Sequence, residues 1–206
     1  SSGMVTLVAR NGKIASIDAV GWRIMNKERM ETTDVFWAAS ITKPFVAVAI
    51  MMMVDKGHLQ LDDLVEKHIP EFKGQKVKTG KKSSDTAKHP LTVRNLLNHL
   101  DGLPKNPTRS RATKSIKERV LKSAKDTLMW EPGTKWNYGG EGLYVGAYLV
   151  EKYSEMSYTE FLKTRLLDPL GMKNTYFTIK AVPENRAVRK HSKYKKGKWE
   201  AEKMRD

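Results

Sequence analysis

The chain has 206 residues, with Lys+Arg 38 against Asp+Glu 23, a formal net charge of +15 and no cysteine. The missing cysteine excludes disulfides, thiolate metal sites and a cysteine nucleophile. Hydrophobic residues make up 39% and charged residues 30%, and 5 Trp, 7 Tyr and 5 Phe supply core material, so a folded domain is expected without a membrane span, which needs about 18 apolar residues in a row.

A charge of this size raises an anionic polymer as partner. Its distribution argues against nucleic acid. Residues 74–90 carry five Lys and one acid, and residues 180–206 carry ten Lys or Arg and four acids. The excess therefore sits in loop-like and terminal stretches, not on one aromatic-studded face, and a solvated basic surface is expected. No basic segment followed by an apolar one opens the chain, so no signal peptide is expected within it.

In chain order, Val5 to Arg10 alternates, Asn11-Gly12 follows, and Lys13 to Val20 alternates again. This predicts a β-hairpin. Trp22 to Asp34 is polar and irregular, a predicted loop. Phe36 to Val54 is the most apolar stretch. It predicts a buried helix from about Ser40, with Pro44 in the first turn, where a missing N–H costs nothing, and Gly57 as its end. Leu59 to Phe72 reads as a loop with a short helix, and the Lys-, Ser- and Gly-rich stretch Lys73 to Pro90 as a mobile loop. Helices are predicted from Thr92 to Leu100, stopped by Asp101-Gly102, from Ser115 to Met129, from Gly142 to Tyr153, and from Ser157 to Leu167 with a Ser157/Glu160 capping box. Asn174 to Lys180 is a strand candidate, and Arg189 to Glu200 a hairpin turning at Lys196-Gly197. The order of elements predicts an α+β fold: an antiparallel sheet assembled from the two ends of the chain, with flanking helices and a helical middle. One domain is expected, with a strand hairpin and loop over 1–35, a helical region over 36–172, and a strand and basic tail over 173–206.

Ser40 and Lys43 lie three apart at a helix start, which puts hydroxyl and amine on one face. Beside the apolar run Phe45 to Val54, the charged form of Lys43 is disfavoured, and a neutral amine can take the Ser40 proton. The helix start adds N–H groups where an oxyanion would develop. This spacing suits an acylated serine. Taken alone it also fits a helix N-cap with a surface lysine, and a second such pair, Ser192/Lys195, lies in a polar, basic stretch. Tyr138 precedes Gly139-Gly140 and can present its phenol for proton transfer, or pack as a helix cap. Lys78-Thr79-Gly80 lies in the Lys-rich loop and reads as solvated lysines. The histidines 58, 68, 89, 99 and 191 lack metal spacing, so no metal is expected; His99 reads as structural. No phosphate-binding glycine motif occurs, and no cofactor is expected.

Six stretches carry a resemblance. They are Val8-Ala-Arg-Asn-Gly-Lys13, Phe36-Trp-Ala-Ala-Ser-Ile-Thr-Lys-Pro-Phe45, Gly57-His-Leu-Gln-Leu-Asp-Asp63, Leu91-Thr-Val-Arg-Asn-Leu-Leu-Asn-His-Leu-Asp-Gly-Leu103, Pro132-Gly-Thr-Lys-Trp-Asn-Tyr138 and Leu167-Asp-Pro-Leu-Gly-Met-Lys-Asn-Thr175. In this order they resemble the serine β-lactamase family on its class C side, which includes D-alanyl-D-alanine carboxypeptidases and β-lactamase-like esterases. The resemblance implies an antiparallel sheet with helices on its faces beside an all-helical region. It implies Ser40 as acylated nucleophile, Lys43 as its proton acceptor, Tyr138 as the Tyr of a Tyr-x-Asn element, and the Ser40 N–H as half of an oxyanion hole. The implied substrate is a β-lactam, a D-Ala-D-Ala-type peptide or an ester, met outside the cytoplasm. Three departures stand out. Gly140 replaces the Asn of Tyr-x-Asn, Asp101 replaces a Ser, and the late Lys-Thr-Gly or His-x-Gly strand has no counterpart, as expected of a fragment or reduced member of the fold. A sheet lacking late strands has an exposed edge that invites pairing with another chain. The alternative is a catalytically impaired relative serving as a binding or scaffolding protein.

Overall fold

A computed structural model of the chain describes residues 3–81, 83–105, 113–189, 191–195 and 198–201, the last two segments as backbone. The chain divides into two compact units, one of residues 1–39 with 172–206 and the other of residues 40–171.

In the first unit, β1 (Gly3–Arg10) and β2 (Lys13–Ile24) form the expected antiparallel hairpin. Asn11 and Gly12 both take left-handed backbones, φ 51° and 72°, which matches the turn to the twist of its strands. Cross-strand pairing puts Val5, Leu7 and Ala9 on one face with Ala19, Ile17 and Ile14. That face is wholly apolar, and Leu7, Ile14 and Ile17 are exposed on it. The loop expected over Trp22–Asp34 is instead the end of β2 and a return strand, β3 (Glu28–Arg29). Its cause is a charge that local patterning does not reveal: Arg23 is buried and donates from Nη1 to Asp34 at 3.0 Å and from Nε to Glu28 at 3.1 Å. β1 lies at one edge of this three-stranded sheet.

The strand expected over Asn174–Lys180 is absent, and turns and a 3-10 turn (Ile179–Ala181) stand there. Nearby, Arg186 donates to the Asn174 side-chain oxygen at 3.1 Å and to the Thr33 carbonyl at 2.7 Å. Val35 and Ala187 make a parallel bridge. The C-terminal hairpin forms as β6 (His191–Lys195) and β7 (Lys198–Ala201), while its expected turn, Lys196-Gly197, lies outside the described residues. Among the described residues this hairpin is a ladder of its own, so the two ends of the chain do not build one continuous sheet as expected.

The second unit is organised around one helix. α1 (Lys43–Asp55), α3 (Val93–Leu97), α4 (Ile116–Ser123) and α6 (Tyr158–Leu162) all pack on α5 (Glu141–Ser154). Val46, Ala49, Ile50 and Met53 of α1 repeat at helical spacing and are buried, as are Val145, Gly146, Leu149 and Val150 of α5. Gly146 lets the two axes approach: a Cβ there would lie 3.1 Å from Val46 Cγ1. Short elements fill the gaps. α2 (Val65–His68) follows a loop, and the Lys-rich stretch expected to be mobile carries a small ladder of β4 (Lys76–Lys78) with β5 (Ser84–Thr86). Its Val77 is buried and bridges to Leu128. Lys78 therefore sits on a strand, not in a loop. α4 stops at Ser123, well short of the Met129 expected, and α6 passes into a π-helical turn over Lys163–Leu167. Ser115 and Ser157 cap their helices by accepting from Glu118 N and Glu160 N, and Thr92 with Asn95 forms a reciprocal capping box at the start of α3.

Buried His68 has both ring nitrogens occupied, Nδ1 by the Tyr153 hydroxyl at 2.5 Å and Nε2 by the Asp63 carboxylate at 3.1 Å. Lys67 first, with the Gln60 N–H and His68, holds the Asp63 carboxyl down to about 2. Among the described residues no helix is long and apolar enough to cross a membrane.

Candidate active site

Ser40 lies in a 3-10 turn (Ala39–Thr42) that leads directly into α1, and Pro44 sits in the first turn of that helix. One turn separates Ser40 from Lys43, and the Lys43 amine donates to Ser40 Oγ at 3.0 Å. Ser40 is exposed and Lys43 half-buried. Lys43 thus stands at the mouth of the helix rather than sunk in the apolar run beyond it.

The third expected residue comes from a distant loop. Tyr138 lies two residues before Gly140, the N-cap of α5. Lys43 Nζ sits 4.6 Å from the centroid of its ring. Hydrogen bonds from Lys43, then Ser40, and the Lys43 charge hold the phenol below its ordinary value. Ser40, Lys43 and Tyr138 therefore lie together, although 95 residues separate Lys43 from Tyr138.

The Tyr138 loop is positioned by a second loop that follows α3. Its N–H groups run along the other's carbonyls: Met129 donates to Gly102 at 2.7 Å, Gly133 to Leu100 at 2.8 Å and Asn137 to His99 at 2.9 Å. The fit is close enough that a Cβ on Gly102, whose φ is 73°, would fall 2.4 Å from the Trp130 carbonyl oxygen. Only glycine serves there. His99, expected to be structural, sits inside this cluster, with its ring 4.9 Å from that of Tyr138 and 6.3 Å from that of Trp136. Lone histidines near helix ends carry no sequence signal for such a role; the pairing of the two loops reveals it.

Two buried carboxyl groups lie behind these loops. Glu141, at the start of α5, is paired: Arg119 binds it from α4, and Ser123 Oγ donates to it at 2.9 Å. Among the described residues Asp101 has no cationic partner. It accepts the Leu103 N–H at 2.7 Å and packs so closely on α5 that a Cβ at Gly142 would lie 2.5 Å from its Oδ2. Burial above all, with the Glu141 charge adding to it, pushes the Asp101 carboxyl up to about 6. A folded-state value above the unfolded 3.8 means that the folded chain binds more protons between those values. Stability is therefore fully present below about pH 4 and falls as pH rises towards 6, by about 3 kcal/mol for a shift of about two units. Asp101→Asn keeps an acceptor for the Leu103 N–H and removes the charge. Urea unfolding is expected to show little difference from the unaltered chain at pH 4 and an advantage of about 2 kcal/mol for Asn at pH 7. A difference that did not change with pH would remove this assignment.

Among the described residues no group of three His, Asp or Glu gathers as metal ligands. The chemistry the cluster offers is that of a hydroxyl beside an amine and a phenol, able to exchange protons with one another.

The family described as Beta-lactamase matches residues 1–206. A penicillin-binding protein of Bacillus subtilis (strain 168) is 34% identical over 178 residues, which cover 82% of this chain and 36% of the relative. The solved D-amino acid amidase of Ochrobactrum anthropi SV3, in complex with L-phenylalanine amide, is 27% identical with a TM-score of 0.72, covering 92% of this chain and 53% of the other. EstCE1, a hydrolase with promiscuous acyltransferase activity, superposes with a TM-score of 0.79 at 22% identity over 100% of this chain and 55% of its own, a likeness of fold. The chain thus spans about a third of its curated relatives' length and about half of these solved chains. The mixed helix and antiparallel-sheet architecture is that of the β-lactamase and transpeptidase-like fold, and the chain belongs to the beta-lactamase family.

Proposed function

We propose that this chain carries the nucleophile half of a serine acyl hydrolase, in which Ser40 attacks a β-lactam, a D-Ala-D-Ala-type peptide or an ester. The observation that carries the reading is the contact of the Lys43 amine with Ser40 Oγ at 3.0 Å, with the Tyr138 ring 4.6 Å from the same amine. Ser40 Oγ bonds to the acyl carbon as its proton passes to the Lys43 amine in its unprotonated form, Tyr138 hands a proton to the leaving group as its bond breaks, and Lys43 returns the proton to the Tyr138 oxygen. Water then splits the acyl-serine and restores the hydroxyl. The Ser40 N–H, at the entry to α1, serves as one oxyanion donor. The amidase and the penicillin-binding relative support an amide or ester carbonyl as the target.

Intact mass after incubation with a penicillin, and separately with an activated ester, tests the reading. An adduct is expected on the unaltered chain and none on Ser40→Ala. Equal labelling of both would sink it.

One observation favours a second reading, a binding or scaffolding relative with the chemistry impaired. Gly140 has φ −119°, open to any residue, and a Cβ there meets nothing within 4 Å. The backbone does not require glycine at this position, so the side-chain amide that the resemblance places there has been lost without a steric reason. Folded protein with no adduct from either reagent would favour this second reading.

A further inference from the structure

The residue that ends α3 sits in an unusual conformation. His99 has φ 58°, in the left-handed region, which non-glycine residues enter uncommonly and His, Asn and Asp more readily than the rest. Helices commonly end on such a residue, and Gly or Asn fills the place without strain. Glycine or asparagine would take the same backbone, so the contacts made by the histidine ring are the feature to explain.

The ring and the backbone of His99 converge on one neighbour. Its carbonyl accepts the Asn137 N–H at 2.9 Å, and its Nδ1 accepts the Gly139 N–H at a long 3.5 Å. Tyr138 is thus held on both sides by a single residue. The imidazole also lies tilted at 53° against the phenol ring, with centroids 4.9 Å apart, and the Trp136 ring meets it edge-on at 87°. An Nδ1 that accepts must be unprotonated, which places the proton of the neutral ring on Nε2. Burial first, and then the Lys43 charge, disfavours the imidazolium, so the accepting form is the one present at neutral pH. The titratable groups against the ring are Lys43 and Tyr138.

We propose that His99 is a positioning residue, which holds the Tyr138 phenol against Lys43 and Ser40 through its ring and its Nδ1. It acts through Tyr138. The kinetic part of the test rests on the acyl-serine reading; the spectroscopic part does not.

Two variants separate ring from backbone. His99→Gly relieves the left-handed strain and removes both the ring and the acceptor. His99→Asn tolerates the same backbone and keeps a side-chain oxygen for the Gly139 N–H. The phenol of Tyr138 is read as the ultraviolet difference between each chain and its Tyr138→Phe partner during alkaline titration. His99→Gly is expected to melt no lower than the unaltered chain, while its Tyr138 phenol titrates higher, towards the ordinary value, because it no longer stays on Lys43. Acylation of Ser40 is expected to slow by about tenfold or more, within the range a positioned acid–base group contributes. His99→Asn should recover part of both effects. In a Tyr138→Phe background, His99→Gly should add no further loss.

An unchanged phenol titration in His99→Gly, or a full additional loss in the Tyr138→Phe background, would overturn the proposal. Should His99→Gly fail to fold, the titration of His99→Asn decides, since a shift smaller than zero or equal to zero speaks against a role for the ring. Should neither reagent label the unaltered chain, the acyl-serine reading fails, and the phenol titration still decides the role of His99.

Discussion

Lys43→Met is expected to slow covalent labelling of Ser40 by about 10²- to 10⁴-fold, the usual loss when a positioned proton acceptor is removed. Methionine is unbranched and close to lysine in length, so it can occupy the same half-buried site at the start of α1 without its charge. What disappears is the Nζ that lies 3.0 Å from Ser40 Oγ and 4.6 Å from the centre of the Tyr138 ring. The phenol of Tyr138 should then lose its main reason for titrating low and move up. Time-resolved intact mass with the activated ester gives the rate, and thermal unfolding of the same sample shows whether the fold is intact. A variant that folds and labels at the unaltered rate would exclude Lys43 as the proton acceptor.

Arg119→Leu is expected to cost about 3–5 kcal/mol of stability at neutral pH, the usual penalty for leaving one partner of a buried ion pair alone. The Glu141 side chain is only 2% exposed, and that of Arg119 is 23% exposed. Without Arg119, the carboxylate keeps the Ser123 hydroxyl at 2.9 Å and the start of α5, which offset a part of the loss. Its remaining routes are to take up a proton or to open the α4–α5 contact. Arg119→Leu combined with Glu141→Gln should recover much of the stability, because no buried charge is then left unpaired. Chemical denaturation of the two variants measures this. Equal stability of the double and single variants would show that the cost lies in lost packing of Arg119 on the Tyr144 ring, 3.7 Å from its guanidinium carbon, rather than in charge.

These two expectations meet at one place. Glu141 begins the helix that the Tyr138 loop leads into, and its charge adds to what raises the Asp101 carboxyl. Asp101 in turn lies between His99 and Gly102, the residues on which the Tyr138 loop hangs. Among the described residues Glu141 has a cationic partner and Asp101 has none, and Asp101 is the one beside the cluster. Stability is given up at neutral pH in the wall that presents Tyr138, a pattern common where a site is built against the preferences of the fold.

Much was legible from residue order alone. The Asn11-Gly12 turn, the apolar helix after Ser40, the cap at Thr92 and the helix ending at Ser154 follow from patterns within a few residues, where backbone preference and periodicity act. Ser40 and Lys43 meet because three residues make one turn. The misjudged elements have a different origin. The strand β3 comes with Arg23 reaching Asp34, and the ladder of β4 and β5 with Val77 buried against Leu128. None of these partners is a near neighbour in sequence.

The sequence by itself therefore determined the family, the α+β class and the Ser40–Lys43 contact, since each rests on local spacing or on motifs in a given order. Tertiary structure decided that Tyr138 and His99 come to lie beside that pair, and that among the described residues the buried Asp101 carboxyl has no cationic partner while Glu141 has one. Those outcomes turn on which loop lies along which and on how much water is excluded from each group. Both are properties of packing between residues far apart in the chain, and no local pattern encodes them.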